Sequence, residues 1–314
     1  MPSQNQKETS ASPRVFTKSK VQPLVRIASC SDSQIVGVLK PDPTDAPYLV
    51  EHQLNGKPIF PFVLALETFA ETISSSTKRY SCIDFRSVKV VNGLVFNQSR
   101  PYELRCLASL DSDGFWNLRL IGDRFDEKGD KISSDFPYYL GQARGVPSRE
   151  EPEFKKRANA FVFTNVDESV PKYCGPCLDG LYHGQKLRAL KRCLFMKESK
   201  EGIGEIIAPS REELLGNESE NVTIDGSALD AALFFCSSLN VHTRIGRRAV
   251  PEFIAGLRYW TGLIRPNSKC AVYAILKERK TLPFGYIQVV FDFDVYNEEG
   301  TSVCCANGFR MTEF

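Results

Sequence analysis

One arrangement of apolar residues occurs in each half of the chain and constrains the fold more than any other feature. An apolar segment with helical spacing comes first, at Pro61–Ile73 in one half and at Gly226–Leu239 in the other. Strand-like runs separated by turn residues follow each segment. This order differs from alternating βαβ units, so it argues against a parallel dinucleotide-binding sheet. It predicts an α+β protein of two similar lobes.

The strand predictions are clearest where polar and apolar residues alternate. From Ile287 to Val295 every second residue is apolar, and Asp292 and Asp294 fall on the other face. The turn at 298–300 predicts that this strand pairs with the last one, and the Asp111–Gly114 turn predicts a hairpin in the first half. The remaining predicted strands are Val88–Phe96, Tyr102–Leu110, Phe115–Gly122, Phe253–Leu263 and Ala271–Lys277.

Two polar stretches divide the chain. Residues 1–24 are rich in Ser, Lys and Gln without an apolar period, which predicts a mobile tail. Pro147–Arg157 has two prolines and dense charge, a composition typical of a linker. We therefore predict an N-terminal lobe over residues 25–152 and a C-terminal lobe over residues 153–314.

Charge and hydropathy exclude several classes of protein. The 40 Lys and Arg residues nearly balance the 38 Asp and Glu residues, so the basic excess of nucleic-acid-binding proteins is missing. No apolar run approaches the roughly 20 residues of a membrane helix, and the N-terminal residues lack the apolar stretch of a signal peptide. We expect a cytoplasmic protein that binds neither nucleic acid nor membrane, and whose ten cysteines are reduced thiols.

The segment from His52 to Pro61 places a histidine just before the first apolar helix, with Gly56 between them. Glycine lets the backbone pass close to a ligand, and proline presets the first helical turn. The free N–H groups at the start of that helix can then face a developing oxyanion, with His52 beside them as a base. The alternative is an ordinary surface histidine in a loop before a buried helix.

Asp230 lies about one turn inside the second apolar segment, for which Asp225 is a natural N-cap. The residues next to Asp230 are alanine, leucine and phenylalanine. Burial among them would raise the pKa of Asp230, which suits a general acid. The alternative is an exposed carboxylate that interacts favourably with the helix dipole.

Together these segments resemble the signature of polyketide synthase dehydratase domains. The resemblance rests on His-x3-Gly-x4-Pro at residues 52–61 and on Leu-Asp-Ala-Ala-Leu at residues 229–233. A third segment, Gly180–Gly184, resembles the Gly-x-x-Tyr-Gly segment of the same family. The three motifs stand in the family's order, and the resemblance covers the chain from about residue 45 to the C-terminus.

The resemblance implies a double hot-dog fold, in which each lobe wraps an antiparallel sheet round a central helix. It also implies loss of water from a β-hydroxyacyl thioester, giving the α,β-enoyl thioester, in polyketide or fatty-acid-like biosynthesis. His52 would remove the α-proton and Asp230 would protonate the departing hydroxyl. The other expected substrate-binding residues are Gly56, Pro61, Tyr182, Gly184 and Phe234.

The resemblance implies neither a metal nor another cofactor. The substrate would arrive on the phosphopantetheine arm of an acyl carrier protein. Other components of a polyketide or fatty-acid synthase are further expected partners, and so is a second copy of the chain in a homodimer.

Three positions depart from the family pattern. Phe234 stands four residues after Asp230, where the family usually has Gln or His to orient the acid; Phe62 replaces a glycine, and Gln185 replaces a proline. Phe234 removes a polar partner of Asp230, although it can also raise the pKa of Asp230 by excluding water. This departure leaves open a catalytically degenerate double hot-dog that binds or scaffolds a polyketide intermediate.

Two further patterns suggest other chemistry. Cys174-Gly-Pro-Cys177 matches a thioredoxin-like dithiol, or, with His183 and Cys193, a zinc site. The sequence around it lacks a thioredoxin-sized unit, which favours structural thiols.

Arg244, Arg247 and Arg248 form a basic cluster near the end of the second helix. Such a cluster is usually a solvated surface; the functional alternative is a docking patch for an acidic carrier protein.

Overall fold

The computed structural model describes most of the chain from residue 24 onward: residues 24–44, 46–75, 80–97, 102–126, 128–146, 177–178 (backbone only), 180–185, 187–195, 200–209, 223–243 and 247–314. The predicted tail, apart from Leu24, and the predicted linker lie outside these ranges. Cys174 lies outside them too, and so does the side chain of Cys177, so the dithiol and zinc predictions have no structural counterpart here.

Three α-helices occur among the described residues, besides a short 3₁₀ helix at Pro283–Gly285. They are α1 (Pro47–Val50), α2 (Phe62–Ser74) and α3 (Gly226–Thr243). In α2 every residue from Phe62 to Ile73 is buried, and α3 is buried along most of its length. The two apolar segments therefore form the central helices that the sequence predicts. No helix in the described part of the chain is long and apolar enough to cross a membrane.

Sixteen strands form two sheets, both entirely antiparallel within the described ranges. The first half contributes β1 (Arg26–Cys30), β2 (Gln34–Leu39), β3 (His52–Leu54), β4 (Lys57–Pro58), β5 (Cys82–Val90), β6 (Leu104–Leu110), β7 (Trp116–Phe125) and β8 (Lys131–Val146). The second half contributes β9 (Cys177–Leu178), β10 (Leu181–His183), β11 (Leu190–Phe195), β12 (Glu201–Ile207), β13 (Ala249–Trp260), β14 (Lys269–Thr281), β15 (Ile287–Asn297) and β16 (Ser302–Glu313).

The large sheet has twelve strands in the order β1-β2-β6-β7-β8-β5-β13-β16-β15-β14-β12-β11. Each half contributes six strands to this sheet. In the first half β2, β6, β7 and β8 pack on α2, in the second half β11–β15 pack on α3, and the two helices contact each other. The halves join where β5 pairs with β13. The predicted α+β architecture of two similar lobes is confirmed.

The strand predictions succeed where alternation is clean. The β15–β16 and β6–β7 hairpins form as expected, and Phe291 and Phe293 are buried. The strand predicted at 88–96 instead runs over 82–90, because Cys82–Phe85 are buried on both faces and show no alternation. Strands β1–β4 and β9–β12 were not predicted from the sequence.

A buried carboxylate holds the joint between the lobes. Asp84 on β5 accepts hydrogen bonds from Arg258 on β13, with Nε to Oδ1 at 2.5 Å and Nη2 to Oδ2 at 3.1 Å. Arg144 on β8 donates to the same Oδ2 at 3.3 Å. Because two guanidinium groups compensate the desolvated charge, the joint can bury Asp84.

A second buried carboxylate fixes the start of α3. Glu67 on α2 accepts the backbone N–H groups of Thr223 at 2.7 Å and Ile224 at 2.6 Å. Asp225 then caps α3, since its Oδ1 accepts the Ala228 N–H at 3.1 Å, which confirms the predicted N-cap. The central helix of one lobe thereby sets where the other begins, and with it the place of Asp230.

We expect Glu67→Leu to lower the free energy of unfolding by about 2–4 kcal/mol, because it leaves two backbone donors without an acceptor. Urea denaturation measures this change. Glu103→Leu is the control, since Glu103 is exposed in an ion pair with Lys40 and its loss should change stability by less than about 1 kcal/mol. Equal losses in the two variants would contradict the role given to Glu67.

Candidate active site

A tight hairpin positions His52. Asn55 and Gly56 both have positive φ, 51° and 76°, and join β3 to β4 as a two-residue turn of the Asn-Gly type. The turn brings Ile59 opposite His52, whose Nδ1 lies 3.1 Å from the Ile59 carbonyl oxygen. A carbonyl only accepts, so the neutral imidazole holds its proton on Nδ1 and keeps the Nε2 lone pair free.

The second half of the chain supplies another histidine beside the first. Strand β10 pairs with β3 so that His183 lies opposite His52, with ring centroids 4.9 Å apart. The sequence predicts His183 only as a possible zinc ligand and not as a member of this site. The sequence does contain a signal for its place in the site. His183 occupies the tyrosine position of the Gly-x-x-Tyr-Gly pattern, and Tyr182 lies one position earlier.

Asp230 completes the cluster from the second turn of α3. Its Oδ2 lies 3.9 Å from Nε2 of His183, and both side chains are buried. One ligand-type atom from each of His52, His183 and Asp230 lies within 4.8 Å of the others. The predicted base and acid therefore share one site, although they are 178 positions apart in the sequence.

Burial sets the protonation of all three groups. It raises the pKa of Asp230 to about 7. It lowers the pKa of His52 to about 4, against a smaller opposing effect of the Ile59 hydrogen bond. It also lowers the pKa of His183 well below its ordinary value, with additional effects of His52 and Arg248. Between about pH 4 and 7 the histidines are neutral and the carboxyl is protonated, the states required of a base and an acid.

The three polar side chains open into a cavity of about 270 Å³ at the seam of the lobes. Its walls are mostly apolar and come from both halves; they include Phe60, Phe62, Leu94, Leu233, Phe234 and Met311. Such a cavity suits an extended apolar ligand with a few polar groups near the histidines.

Of the five predicted substrate-binding residues, Phe234 lines the cavity and four do not. Gly56 lies in the hairpin turn, and Pro61 precedes α2, where its carbonyl accepts the Leu64 N–H at 3.1 Å. Tyr182 is absent from the cavity wall, which Leu181 and His183 join from the same strand. At Gly184 a Cβ would come within 2.6 Å of the Glu51 side chain. These four residues shape the backbone round the cavity.

The interpretation of the basic cluster as a solvated surface is wrong for Arg248. Its side chain is buried, and its guanidinium carbon lies 4.7 Å from the centre of the Phe234 ring. Its Nη1 donates to Ser238 Oγ at 2.9 Å. Arg247 is exposed, and Arg244 lies outside the described residues. The buried cation helps to keep His183 neutral.

His52, His183 and Asp230 are also the residue types of a divalent-metal site. Zinc binds such ligands at about 2.0–2.2 Å, which places tetrahedral ligand atoms about 3.5 Å apart. The spread of up to 4.8 Å is wider than this, so zinc would require the side chains to move together. The geometry as built favours proton transfer.

The sequence matched no protein-family model and no curated protein. Solved structures do match. The dehydratase domain of RzxB from Pseudomonas fluorescens superposes with a TM-score of 0.71 at 13% identity, covering 93% of this chain and 99% of that one. A trans-AT polyketide synthase dehydratase domain from Brevibacillus brevis gives 0.72 at 14% identity, covering 95% and 100%.

The dehydratase CurK, solved as an inactive Asp-to-Asn mutant, gives a TM-score of 0.67 at 14% identity, with 94% of this chain and 99% of that one covered. At these identities the similarity establishes the fold. The chain has the double hot-dog fold of polyketide synthase dehydratase domains, as its three motifs predicted.

Asp230→Asn tests the buried acid through stability. The pKa of Asp230 is about 7 in the folded chain against 3.8 for an ordinary side chain, so wild type loses stability as pH rises between these values. We expect the variant's advantage over wild type to grow from about pH 4 to about pH 7 and then stay constant, at on the order of 4 kcal/mol.

Urea denaturation across this pH range measures the advantage. Asp113→Asn makes the same chemical change at an exposed turn and should show no such pH dependence. A pH-independent difference between Asp230→Asn and wild type would show that Asp230 is not a buried acid of raised pKa.

Proposed function

We propose that this protein is a dehydratase that removes water from a β-hydroxyacyl thioester and forms the α,β-enoyl thioester. The observation that carries the proposal is that a buried imidazole and a buried carboxyl lie close together in one apolar cavity, where burial favours the neutral form of each. Syn or anti loss of water needs both at once, because a weakly acidic C–H must be broken while a poor leaving group is protonated.

The reaction assigns one proton transfer to each side chain. Nε2 of His52 takes the α-proton, the C–H electrons form the new double bond, and the bond between the β-carbon and the hydroxyl oxygen breaks. The Asp230 carboxyl gives its proton to that oxygen, which leaves as water. His52 then releases its proton and Asp230 regains one, which restores both starting states.

The cavity walls support an acyl chain as the bound part of the substrate. Phe60, Leu94 and Leu233 offer apolar surface, whereas the polar atoms cluster at one place. A thioester makes the α-proton more acidic, so a neutral imidazole is a sufficient base. N–H groups at the start of α2, where Phe62 lines the cavity, would polarise the thioester carbonyl.

The carrier and partners follow from the same proposal. The substrate would reach the cavity on the phosphopantetheine arm of an acyl carrier protein, within or beside a cytoplasmic polyketide or fatty-acid-like synthase. Support comes from the fold shared with polyketide synthase dehydratase domains. The inactive Asp-to-Asn mutant of CurK gives a precedent in that protein for an essential aspartate.

We expect wild type to convert a β-hydroxyacyl thioester on a carrier protein to the enoyl product. His52→Ala and Asp230→Asn should each lower kcat by about 10²- to 10⁴-fold, because each removes one proton transfer. Mass spectrometry of the carrier-bound product measures the loss of water.

Cys174→Ser is the matched control for the dithiol alternative and should keep wild-type activity. Binding of the substrate by wild type without any product would instead favour a scaffold that holds polyketide intermediates. Loss of activity in Cys174→Ser with retention in His52→Ala would contradict the dehydratase.

The pH profile gives a further prediction. With a small pantetheine thioester as substrate, kcat should rise as His52 deprotonates near pH 4 and fall as Asp230 ionises near pH 7. In Asp230→Asn the residual kcat should no longer fall as the pH rises through about 7. An alkaline limb that persists unchanged in this variant would assign the acid to another group.

A further inference from the structure

Two buried polar atoms in the cavity lack hydrogen-bond partners among the described residues. They are Oδ2 of Asp230 and Nε2 of His183, and they face each other at 3.9 Å. That distance is too long for a hydrogen bond, but a shift of about 1 Å would form one. Catalytic hydrogen bonds are often long in the free enzyme and tighten when substrate binds.

The surroundings of Asp230 leave His183 as the neighbour able to orient it. Phe234, one turn further along α3, presents an aromatic ring without a polar atom, and the ring lies 4.8 Å from His183. Ser237 also lines the cavity, two turns further along α3, and accepts the Ala249 N–H at 3.0 Å; it makes no hydrogen bond to Oδ2 of Asp230. The guanidinium group of Arg248 lies over the Phe234 ring and donates a hydrogen bond to the Ser238 hydroxyl.

We propose that His183 is the positioning residue of Asp230, with its Nε2–H donating to one carboxyl oxygen so that the proton on the other oxygen points into the cavity. An imidazole from β10 then does what a polar side chain at position 234 would do from the same helix as Asp230. The inference deepens the proposed dehydration, on which its catalytic part rests.

The charged and titratable groups round His183 are consistent with this role. His52 faces it from β3, Asp230 from α3 and Arg248 from the segment before β13. Arg188 lines a small crevice with it. Burial, with smaller effects of His52 and Arg248, lowers the pKa of His183 and keeps it neutral, so it can donate one hydrogen bond without holding Asp230 in its ionised form. The same hydrogen bond stabilises the carboxylate once the proton has left.

The test compares His183→Leu, His183→Gln and the double variant His183→Leu/Phe234→Gln. We expect kcat of His183→Leu to fall about 10- to 100-fold with little change in KM, because the acid is misdirected rather than absent. His183→Gln keeps an N–H donor and should retain most of the activity. In the double variant the new amide at position 234 should raise kcat at least about tenfold above that of His183→Leu.

A second readout does not depend on turnover. The pKa of Asp230, followed by ¹³C NMR, should rise in His183→Leu, because a donor to the carboxylate is lost, and fall back in the double variant. If wild type shows no dehydration, the proposed function fails, while this pKa comparison still decides whether His183 pairs with Asp230.

The matched control is His242→Leu, which changes the third histidine of the chain. His242 stacks on Phe195 at 4.2 Å, near the end of α3 and outside the cavity wall, and its loss should leave kcat unchanged. Thermal unfolding of every variant checks that the fold is kept.

Three results would overturn the proposal. The first is wild-type kcat in His183→Leu; the second is a low kcat that Phe234→Gln does not restore, together with an unchanged pKa of Asp230. The third is activity that a chelator abolishes and zinc restores, which would make His183 a metal ligand.

Discussion

The hydrogen bonds that Glu67 accepts from the backbone at the start of α3 are the interaction on which the site depends. They cross from the central helix of one lobe to the central helix of the other. Glu71, one turn further along α2, lies in the same buried row, and its pKa is raised well above the ordinary value by burial and by the nearby Glu67 carboxylate. Glu67 holds the start of α3, and α3 in turn holds Asp230 close to His52.

Burial then gives the carboxyl of Asp230 and the imidazole of His52 opposite protonation. One apolar environment disfavours charge on every group it surrounds, so it leaves a carboxyl protonated and an imidazole unprotonated. No separate device is needed for each residue. The cost is stability, because a cavity that keeps Asp230 and two histidines from solvent compensates few of their polar atoms. Asp84, which has a structural role, contrasts with these groups because its buried carboxylate is paired with two arginines.

The substitutions in the motifs form a consistent set when viewed in three dimensions. Phe234 replaces a polar side chain near Asp230, and His183, whose ring contacts Phe234, places an imidazole nitrogen 3.9 Å from the Asp230 carboxyl. Phe234 also lies against the buried Arg248, which further favours neutral His183. The departures from the family pattern therefore rearrange the polar contacts of the acid and keep its environment apolar.

Local patterns in the sequence determined the two central helices, the clean hairpins, the N-cap at Asp225, and the candidacy of His52 and Asp230. These depend on periodicity, turn chemistry and spacing along one segment, which neighbouring residues control. Tertiary structure alone decided the pairing of β3 with β10 and the burial of Arg248. It also decided the bounds of β5, because both faces of this strand are covered and its sequence therefore shows little alternation. Register between distant strands and burial depend on contacts between segments that lie far apart in the chain, and no local pattern records them.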